Sequence, residues 1–256
     1  RQMCIRDSIN ADQIVNNLTG NNFTVEFWIN TDVQNQGGQR RVGLFSVNPP
    51  EDDEGIDNEF MLMLGDPKKG SEERLIVYDQ KNTSARNVIV SSSNITGTCT
   101  HIAYVRNGNI GEVFINGISE GTHEIRYNID ANDRVSFGQE YDHENTSQHY
   151  NGNMWDIAIW NTSRTSVEIN NDLKGNLVGN ESGLLAYYAC NQGVANQNNS
   201  SETTLNDLSE NNLIGSLENF SMTGGISNFV SGPYNNIFDA SSSNTCLLYT
   251  SPSPRD

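Results

Sequence analysis

Basic residues are scarce in this sequence, with 15 lysines and arginines against 32 aspartates and glutamates and a net charge of −17 at pH 7. A chain this acidic is repelled by phosphate backbones and by anionic membrane surfaces, and it attracts divalent cations. Long apolar runs are also missing, and none approaches the roughly 18 residues that a membrane-spanning helix needs. We therefore expect no nucleic-acid partner and no insertion into a membrane.

Several sequence motifs of enzymes are missing as well. The chain contains no CxxC or HExxH pattern and no glycine-rich phosphate-binding loop. These are the signatures of redox dithiols, zinc proteases and nucleotide-binding domains. No internal repeat occurs at the period of a solenoid or a propeller.

The two ends of the chain are expected to be artefacts of sequencing. Residues 246–256 (CLLYTSPSPRD) are the residue-by-residue translation of a transposase mosaic end, and residues 1–8 correspond to the opposite orientation of that adapter. Such segments are excluded from fold reasoning. The remaining chain, 9–245, holds 12 basic and 30 acidic residues, with Cys99 and Cys190 as its only cysteines. We expect it to be an internal piece of a longer protein that has other domains.

Much of the chain alternates between apolar and polar residues at the period-two spacing that predicts β-strands. The clearest strand is 23–30 (FTVEFWIN), and the clearest hairpin joins 101–106 to 112–115 through an Asn-Gly turn. Further predicted strands are 41–47, 59–65, 74–79, 87–91, 125–129, 134–138, 154–160, 184–190 and 213–217. This pattern predicts an all-β, two-sheet antiparallel sandwich. We assign it to 9–235, with 236–245 as a linker or the start of a next segment.

One short helix is predicted near 165–174, directly after the strand 154–160. Thr165 and Glu168 have the spacing of a capping box. The apolar stripe of this helix is predicted to be Val167, Ile169 and Leu173. The preceding strand is apolar on both faces, so we expect it to lie between two layers. Asp156 is the one charged residue in that strand.

Three motifs resemble the laminin-G-like branch of the concanavalin A-like jelly rolls, in the type found in bacterial secreted proteins. They are THIAYVRNGNIGEVFINGI at 100–118, YNGNMWDIAIWNTSRTSVEI at 150–169, and GLLAYYACNQG at 183–193 followed by TTLNDLSENNLIGSLENF at 203–220. The sequence departs from the family pattern at Cys99, Cys190 and Glu210. The resemblance implies a jelly-roll sandwich in a secreted or surface-attached protein.

Calcium is the cofactor that the resemblance suggests, and Ca²⁺ takes six to eight oxygen ligands. Asp156 matches the aspartate of the family's "i-D-e-v" strand, where it either ligates calcium or hydrogen-bonds to loop amides. A second candidate set is Asp52, Asp53 and Asp57, although their spacing does not fit an EF-hand loop.

Carbohydrate binding requires exposed aromatic faces beside a few hydrogen-bonding groups. The candidates for such faces are Trp28, Tyr78, Tyr141 and Tyr150, which have asparagine-rich loops nearby. Trp155 and Trp160 are assigned to the core, because their strand is apolar on both faces.

Cys99 and Cys190 both replace large apolar residues of the family pattern, so they are candidates for neighbours in the core. In an exported protein this would favour a disulfide. Two separate buried thiols are the alternative.

These features lead to one main hypothesis and two alternatives. The main hypothesis is a noncatalytic extracellular recognition module that binds a glycan or a protein partner, with calcium as candidate cofactor. The first alternative is a divergent glycoside hydrolase of the same fold, although no strand carries the closely spaced carboxylates that retaining hydrolysis needs. The second is an adhesin or spacer domain without a ligand of its own.

Overall fold

The computed structural model describes residues 7–31, 41–50, 58–65, 73–81, 84–142, 145–174, 177–225, 227–231 and 245–249. The strands are β1 (Ser8–Asn10), β2 (Asn22–Asn30), β3 (Val42–Asn48), β4 (Asn58–Leu64), β5 (Arg74–Lys81), β6 (Ser84–Asn94), β7 (Cys99–Asn107), β8 (Ile110–Ile115), β9 (Ile118–Glu124), β10 (Arg134–Phe137), β11 (Glu140–Asp142), β12 (Asn145–Ser147), β13 (Gly152–Trp160), β14 (Leu184–Tyr188), β15 (Thr204–Leu205), β16 (Gly215–Glu218), β17 (Phe229–Ser231) and β18 (Thr245–Tyr249). A 3₁₀ turn occupies Asp12–Ile14, and the helices are α1 (Val15–Leu18) and α2 (Ser166–Asp172).

The strands form two large antiparallel sheets. Sheet 1 has the order β15-β16-β1-β10-β3-β4-β5-β6. Sheet 2 has the order β17-β18-β13-β2-β7-β8-β9, and β14 also pairs with β13. A separate two-stranded ribbon is formed by β11 and β12. The prediction of an all-β, two-sheet antiparallel sandwich is confirmed.

The main core lies between the sheets and is rich in aromatic rings. In β2 the residues that point into it are Phe23, Val25, Phe27 and Ile29, all fully buried. Phe137 of β10 meets Phe27 edge-on at a centroid distance of 6.0 Å and lies 5.0 Å from Phe45 of β3. The period-two pattern of the sequence therefore places one face of each sheet in a single packed interior.

A second layer covers the outer face of sheet 2. Ile169 of α2 packs there on Ala103, Val105 and Phe114. A neighbouring cluster consists of Ala158, Trp160, Leu184, Tyr187, Ala189 and Leu177. Because of this layer β13 is buried on both faces, as its sequence predicted.

The helix begins as expected but buries less of its surface. The Thr165 hydroxyl accepts a hydrogen bond from the Glu168 amide, and the Glu168 carboxylate accepts one from the Thr165 amide, which completes the capping box. Ile169 is fully buried, but Val167 is 68% exposed. Including Val167 in the buried stripe was wrong, since α2 contacts the sheet along a narrow line only.

The strand predicted at 125–129 was also wrong. The strand in this region is β9 (Ile118–Glu124), an edge strand that pairs with β8. Ile125, Tyr127 and Ile129 are nevertheless buried. Every second side chain of this segment is therefore buried, although its backbone does not pair with another strand.

The last strand includes residues that the sequence assigned to adapter. Residues 246–249 belong to β18, which pairs with β13 and β17. An apolar segment readily pairs with an available strand edge whatever its origin. The adapter assignment and the 9–235 domain bounds stay predictions.

Candidate functional site

A small pocket lies on the outer face of sheet 2, beside the end of α2. Its lining residues are Glu26, Trp28, His101, Asp156, Ala158, Asp172, Leu177 and Tyr187. Antiparallel register brings them together, since His101 of β7 lies opposite Trp28 and Ala158 of β13 lies opposite Glu26. The cavity volume is about 10 Å³, which is room for about one water.

Asp156 points into this pocket from a β-bulge in β13. The register between β13 and β2 shifts between Trp155 and Ala158, and Asp156 has a positive φ of 47°. Non-glycine residues rarely adopt this conformation, and bulges often redirect a side chain next to a binding site. The Tyr187 hydroxyl donates a 2.9 Å hydrogen bond to Asp156 Oδ1. Burial raises the pKa of Asp156 to about 6.

Glu26 forms the floor of the pocket and is 1% exposed. Its Oε1 accepts a 2.7 Å hydrogen bond from Trp160 Nε1. Its Oε2 lies 3.5 Å from His101 Nε2, and the Glu26 carboxyl also hydrogen-bonds to the Asp172 carboxylate. Burial, reinforced by the nearby Asp172 carboxylate, raises the pKa of Glu26 to about 8. Burial also lowers the pKa of His101 to about 3, so at neutral pH this contact joins two uncharged groups.

Asp172 contributes a third carboxyl group from the C-terminal end of α2. Arg164 binds it with one edge of its guanidinium, since Nε donates to Oδ2 at 3.1 Å and Nη2 donates to Oδ1 at 2.9 Å and to Oδ2 at 2.6 Å. The same guanidinium stacks over the Trp160 ring at 3.8 Å. Such bidentate pairs are among the stronger charge-assisted contacts, so the charge of Asp172 is largely offset from outside the pocket.

Trp28 is the predicted glycan-binding aromatic that the structure places at this pocket. It is half-buried, stacks on Trp155 at 5.8 Å and 17°, and meets the His101 ring edge-on at 5.3 Å. Trp155 and Trp160 are buried as predicted. Tyr78 is also half-buried, but it packs with Met61, Met63 and Ile76 on sheet 1, away from the pocket.

The other two predicted aromatics do not offer exposed faces. Tyr141 is 5% exposed and lies beneath the Arg134 guanidinium, which is 3.5 Å from its ring. Tyr150 is fully buried, and its hydroxyl donates to the carbonyls of Asn30 and Asn153. These two predictions were wrong, because the rings of both tyrosines are buried even though the neighbouring sequence is rich in asparagine.

Calcium binding by Asp156 stays a prediction. Asp156 has Tyr187 as its hydrogen-bond partner, and no group of three or more His, Cys, Asp or Glu side chains is arranged around a common point in the described ranges. Calcium prefers six to eight oxygens. Asp52, Asp53 and Asp57 lie outside the described residues, so calcium binding by that loop stays a prediction.

Cys99 and Cys190 are not joined in a disulfide, which corrects the expectation of a bridge between them. Cys99 begins β7, whereas Cys190 follows β14 by two residues. The chain of pairings β14-β13-β2-β7 separates them by three strand spacings, or roughly 14 Å. A disulfide requires a Cα separation below about 7 Å.

A GxSxG pattern at 117–121 does not form a hydrolase site. Ser119 lies in the edge strand β9, not at a turn from strand to helix, and its hydroxyl donates to Glu112 Oε1 at 2.5 Å. The nucleophile elbow of α/β-hydrolases requires that strand-to-helix turn.

Sequence reasoning missed four polar residues of the pocket: Glu26, His101, Asp172 and Tyr187. One signal was available, because Glu26 is the only charged residue of 23–30, on the face that also carries Trp28. The contribution of Asp172 had no such signal, since it depends on where α2 packs.

Within the described ranges, no helix is long and apolar enough to cross a membrane.

Comparison with known proteins gives a family and a fold. The Laminin_G_3 family model, described as concanavalin A-like lectin/glucanases superfamily, matches residues 6–170. No curated protein matches the chain. A protein from Bacteroides ovatus, provisionally assigned as a carbohydrate binding protein, is similar with a TM-score of 0.57 and 15% identity. The match covers 85% of this chain and spans only 59% of the length of that protein.

Two further solved structures resemble the chain over smaller shares. The SAP-like pentraxin from Limulus polyphemus has a TM-score of 0.47 and 18% identity, over 69% of this chain and 79% of its own. The CBM40 of a Ruminococcus gnavus IT-sialidase, bound to α2,3 sialyllactose, has a TM-score of 0.49 and 11% identity, over 67% and 95% of the two chains. At such low identities, similarity to a solved structure shows the fold alone. Of these three structures, the Bacteroides ovatus protein has the TM-score above 0.5, so the conclusion about the fold is drawn from that protein.

Proposed function

Since the chain belongs to the concanavalin A-like lectin/glucanase superfamily, we propose that it is a noncatalytic carbohydrate-binding module. The observation that carries the proposal is a half-buried tryptophan, Trp28, beside a pocket with three carboxyl groups. Aromatic faces with a few fixed polar groups are the usual means of binding sugars. The provisional assignment of the Bacteroides ovatus protein supports the same class of ligand.

The proposed site is rigid before a ligand arrives. Trp28 is held by Trp155 on one side and by His101 on another. Asp156 is fixed by Tyr187, and Glu26 by Trp160. Groups that are already ordered lose little conformational entropy on binding, so this arrangement suits a recognition site.

The size of the pocket favours binding over hydrolysis. A retaining glycosidase holds the scissile bond between two carboxyl groups about 5 to 5.5 Å apart. Here the whole pocket has room for about one water molecule, so a sugar ring would lie over the pocket rather than in it. We therefore propose a noncatalytic role, and the glycoside hydrolase remains the alternative.

We further propose that the module acts outside the cell, secreted or attached to a surface, as part of a longer protein. An extracellular protein is the second class of partner. Calcium is proposed as a cofactor, bound either by Asp156 or by the acidic set Asp52, Asp53 and Asp57.

A glycan array with the full chain, run in calcium and again in chelator, tests the proposal. Trp28→Ala should abolish the signal, because it removes the stacking surface. Tyr78→Ala is the matched control, since Tyr78 is also half-buried but lies on sheet 1. Folded protein that binds no glycan in either condition would contradict the proposal, and a signal lost in chelator would establish calcium dependence.

A further inference from the structure

Residues 118–129 cross one side of the sandwich, and we call them the strap. They comprise β9, the edge strand of sheet 2, and the segment 125–129, which leads toward β10 of sheet 1. Ile125, Tyr127 and Ile129 are buried, although within the described residues no strand pairing joins 125–129 to either sheet. Side chains therefore make most of the contacts that hold this segment.

His123 lies at the centre of these contacts and is buried. Its Nε2 is 3.0 Å from the Tyr104 hydroxyl of β7, and its Nδ1 is 3.1 Å from the carbonyl oxygen of Glu124. A carbonyl oxygen only accepts hydrogen bonds, so Nδ1 carries the proton and Nε2 accepts from the tyrosine. The neutral imidazole therefore uses both of its ring nitrogens.

The strap also reaches the opposite sheet through a fully buried carboxyl group. Asp79 Oδ2 of β5 accepts a 3.0 Å hydrogen bond from the Arg126 amide. The hydroxyls of Tyr104 and Tyr127 are 3.1 Å apart, and the Phe60 ring of β4 lies 4.5 Å from both tyrosine rings. Side chains from both sheets therefore meet the strap in one connected cluster.

This cluster offers little to stabilise a second proton on His123. The titratable or charged residues that face or adjoin His123 are Asp79, Tyr104, Arg106, Glu124, Arg126 and Tyr127. Asp79 Oδ2 is 3.8 Å from Nδ1, beyond hydrogen-bond distance, and burial raises the pKa of both tyrosines, which stay neutral. Burial lowers the pKa of His123 below its ordinary value of 6.5.

We propose that the strap is an acid-sensitive closure of the sandwich, released when His123 takes up a second proton. A protonated imidazole donates from both nitrogens, so the Tyr104 hydroxyl can no longer donate to Nε2, and a positive charge is left in the buried cluster. Local opening of the strap returns His123 to water, where the charge has no such cost. The device is separate from the proposed glycan site, since Trp28 lies at the pocket on the outer face of sheet 2.

The size of the effect follows from the ordinary pKa of histidine. The closed strap holds the pKa of His123 below 6.5, so acid favours the open strap once the pH falls below about 6.5. At pH 5.5 about nine-tenths of an exposed histidine is protonated. The population of the open strap should therefore rise by up to about tenfold between pH 7.5 and pH 5.5.

Hydrogen exchange of the full chain, read by mass spectrometry at pH 7.5 and pH 5.5, tests this proposal. Labelling times are matched for the change in the chemical exchange rate with pH. Peptides from the strap should exchange up to about tenfold faster at pH 5.5, relative to that chemical rate, while peptides from β2 should not change. His123→Gln keeps an acceptor for Tyr104 and takes up no proton, so its strap should exchange equally at both pH values.

His149→Gln is the matched control, because His149 is also a buried histidine but follows the β11–β12 ribbon. Its strap should still open in acid. Equal protection of the wild-type strap at both pH values would overturn the proposal, and so would an acid response that persists in His123→Gln. Equal loss of protection in the strap and in β2 would show global unfolding and would also overturn it.

A second measurement covers the case in which His123→Gln does not fold. NMR titration of the wild-type His123 ring should give a pKa below 6.5. A pKa at or above that value would refute the acid-sensitive closure. None of these outcomes depends on the glycan array, so failure of the strap leaves the proposed function intact.

Discussion

Replacing Glu26 by glutamine should make the folded protein less sensitive to alkaline pH. Glu26 is buried, and burial together with Asp172 raises its pKa from 4.5 to about 8. In this range the folded protein keeps the Glu26 proton while the unfolded chain has lost it. Because the unfolded state binds fewer protons, the free energy of unfolding falls as pH rises from 4.5 to about 8.

The size of the effect follows from the pKa difference. Each pH unit in that window lowers the free energy of unfolding by about 1.4 kcal/mol. Asp156 and Asp133 also have pKa values raised by burial, each to about 6. Between pH 6 and 8 the contribution of Glu26 is about 3 kcal/mol. Buried His101 and His123, whose pKa values burial lowers, act in the opposite direction at the acidic end of this interval. The Glu26 contribution is therefore read from the difference between the wild type and Glu26→Gln.

Urea denaturation of the wild type and of Glu26→Gln at several values between pH 6 and 8 measures this contribution. Over the interval the wild type should lose about 3 kcal/mol more than the variant does. Glu120→Gln is the matched control, because hydrogen bonds from Ser92 and Ser93 hold the pKa of Glu120 below 4.5. Parallel profiles for the wild type and Glu26→Gln would refute the assignment of Glu26 as a buried, protonated carboxyl.

Three other predictions concern stability and covalent state. Gly111→Ala would place a Cβ against a buried tyrosine hydroxyl and should lower the free energy of unfolding by about 3 kcal/mol. Gly20→Ala is the control, because the space around Gly20 is open and the free energy should change little. Equal denaturation midpoints for the two variants would contradict this prediction. Asp207→Ala removes the acceptor of three backbone amides and should cost about 3 kcal/mol in the same assay, so an unchanged midpoint would count against that role. Cys99 and Cys190 should both be alkylated in denaturant without reductant, and a disulfide-linked peptide that contains both residues would contradict this prediction.

The sequence predicted the elements that depend on neighbours along the chain. The strand 23–30, the hairpin through Asn107 and Gly108, and the capping box at Thr165 were all confirmed. Alternation of apolar residues and the spacing of a cap are local properties, so a single sequence reports them well. The two-sheet sandwich and the family followed from the order of such motifs.

Exposure was harder to predict than secondary structure. Tyr141 and Tyr150 are buried beneath or against residues distant in sequence, such as Arg134 and Asn30. Val167 has the right helical spacing but meets no partner on the sheet. Whether a side chain is covered depends on which other segments pack over it, and periodicity does not contain that information.

The sequence alone therefore determined the sandwich, the short capped helix, and Trp28 and Asp156 as individual candidates. Only the tertiary structure decided that these two residues line one pocket with Glu26, His101 and Asp172. Strand register sets Glu26 beside β13 and His101 beside Trp28, and the bulge turns Asp156 toward them. The raised pKa of Glu26 arises from burial that β2, β13 and α2 create together, because desolvation depends on the atoms that surround a group in space.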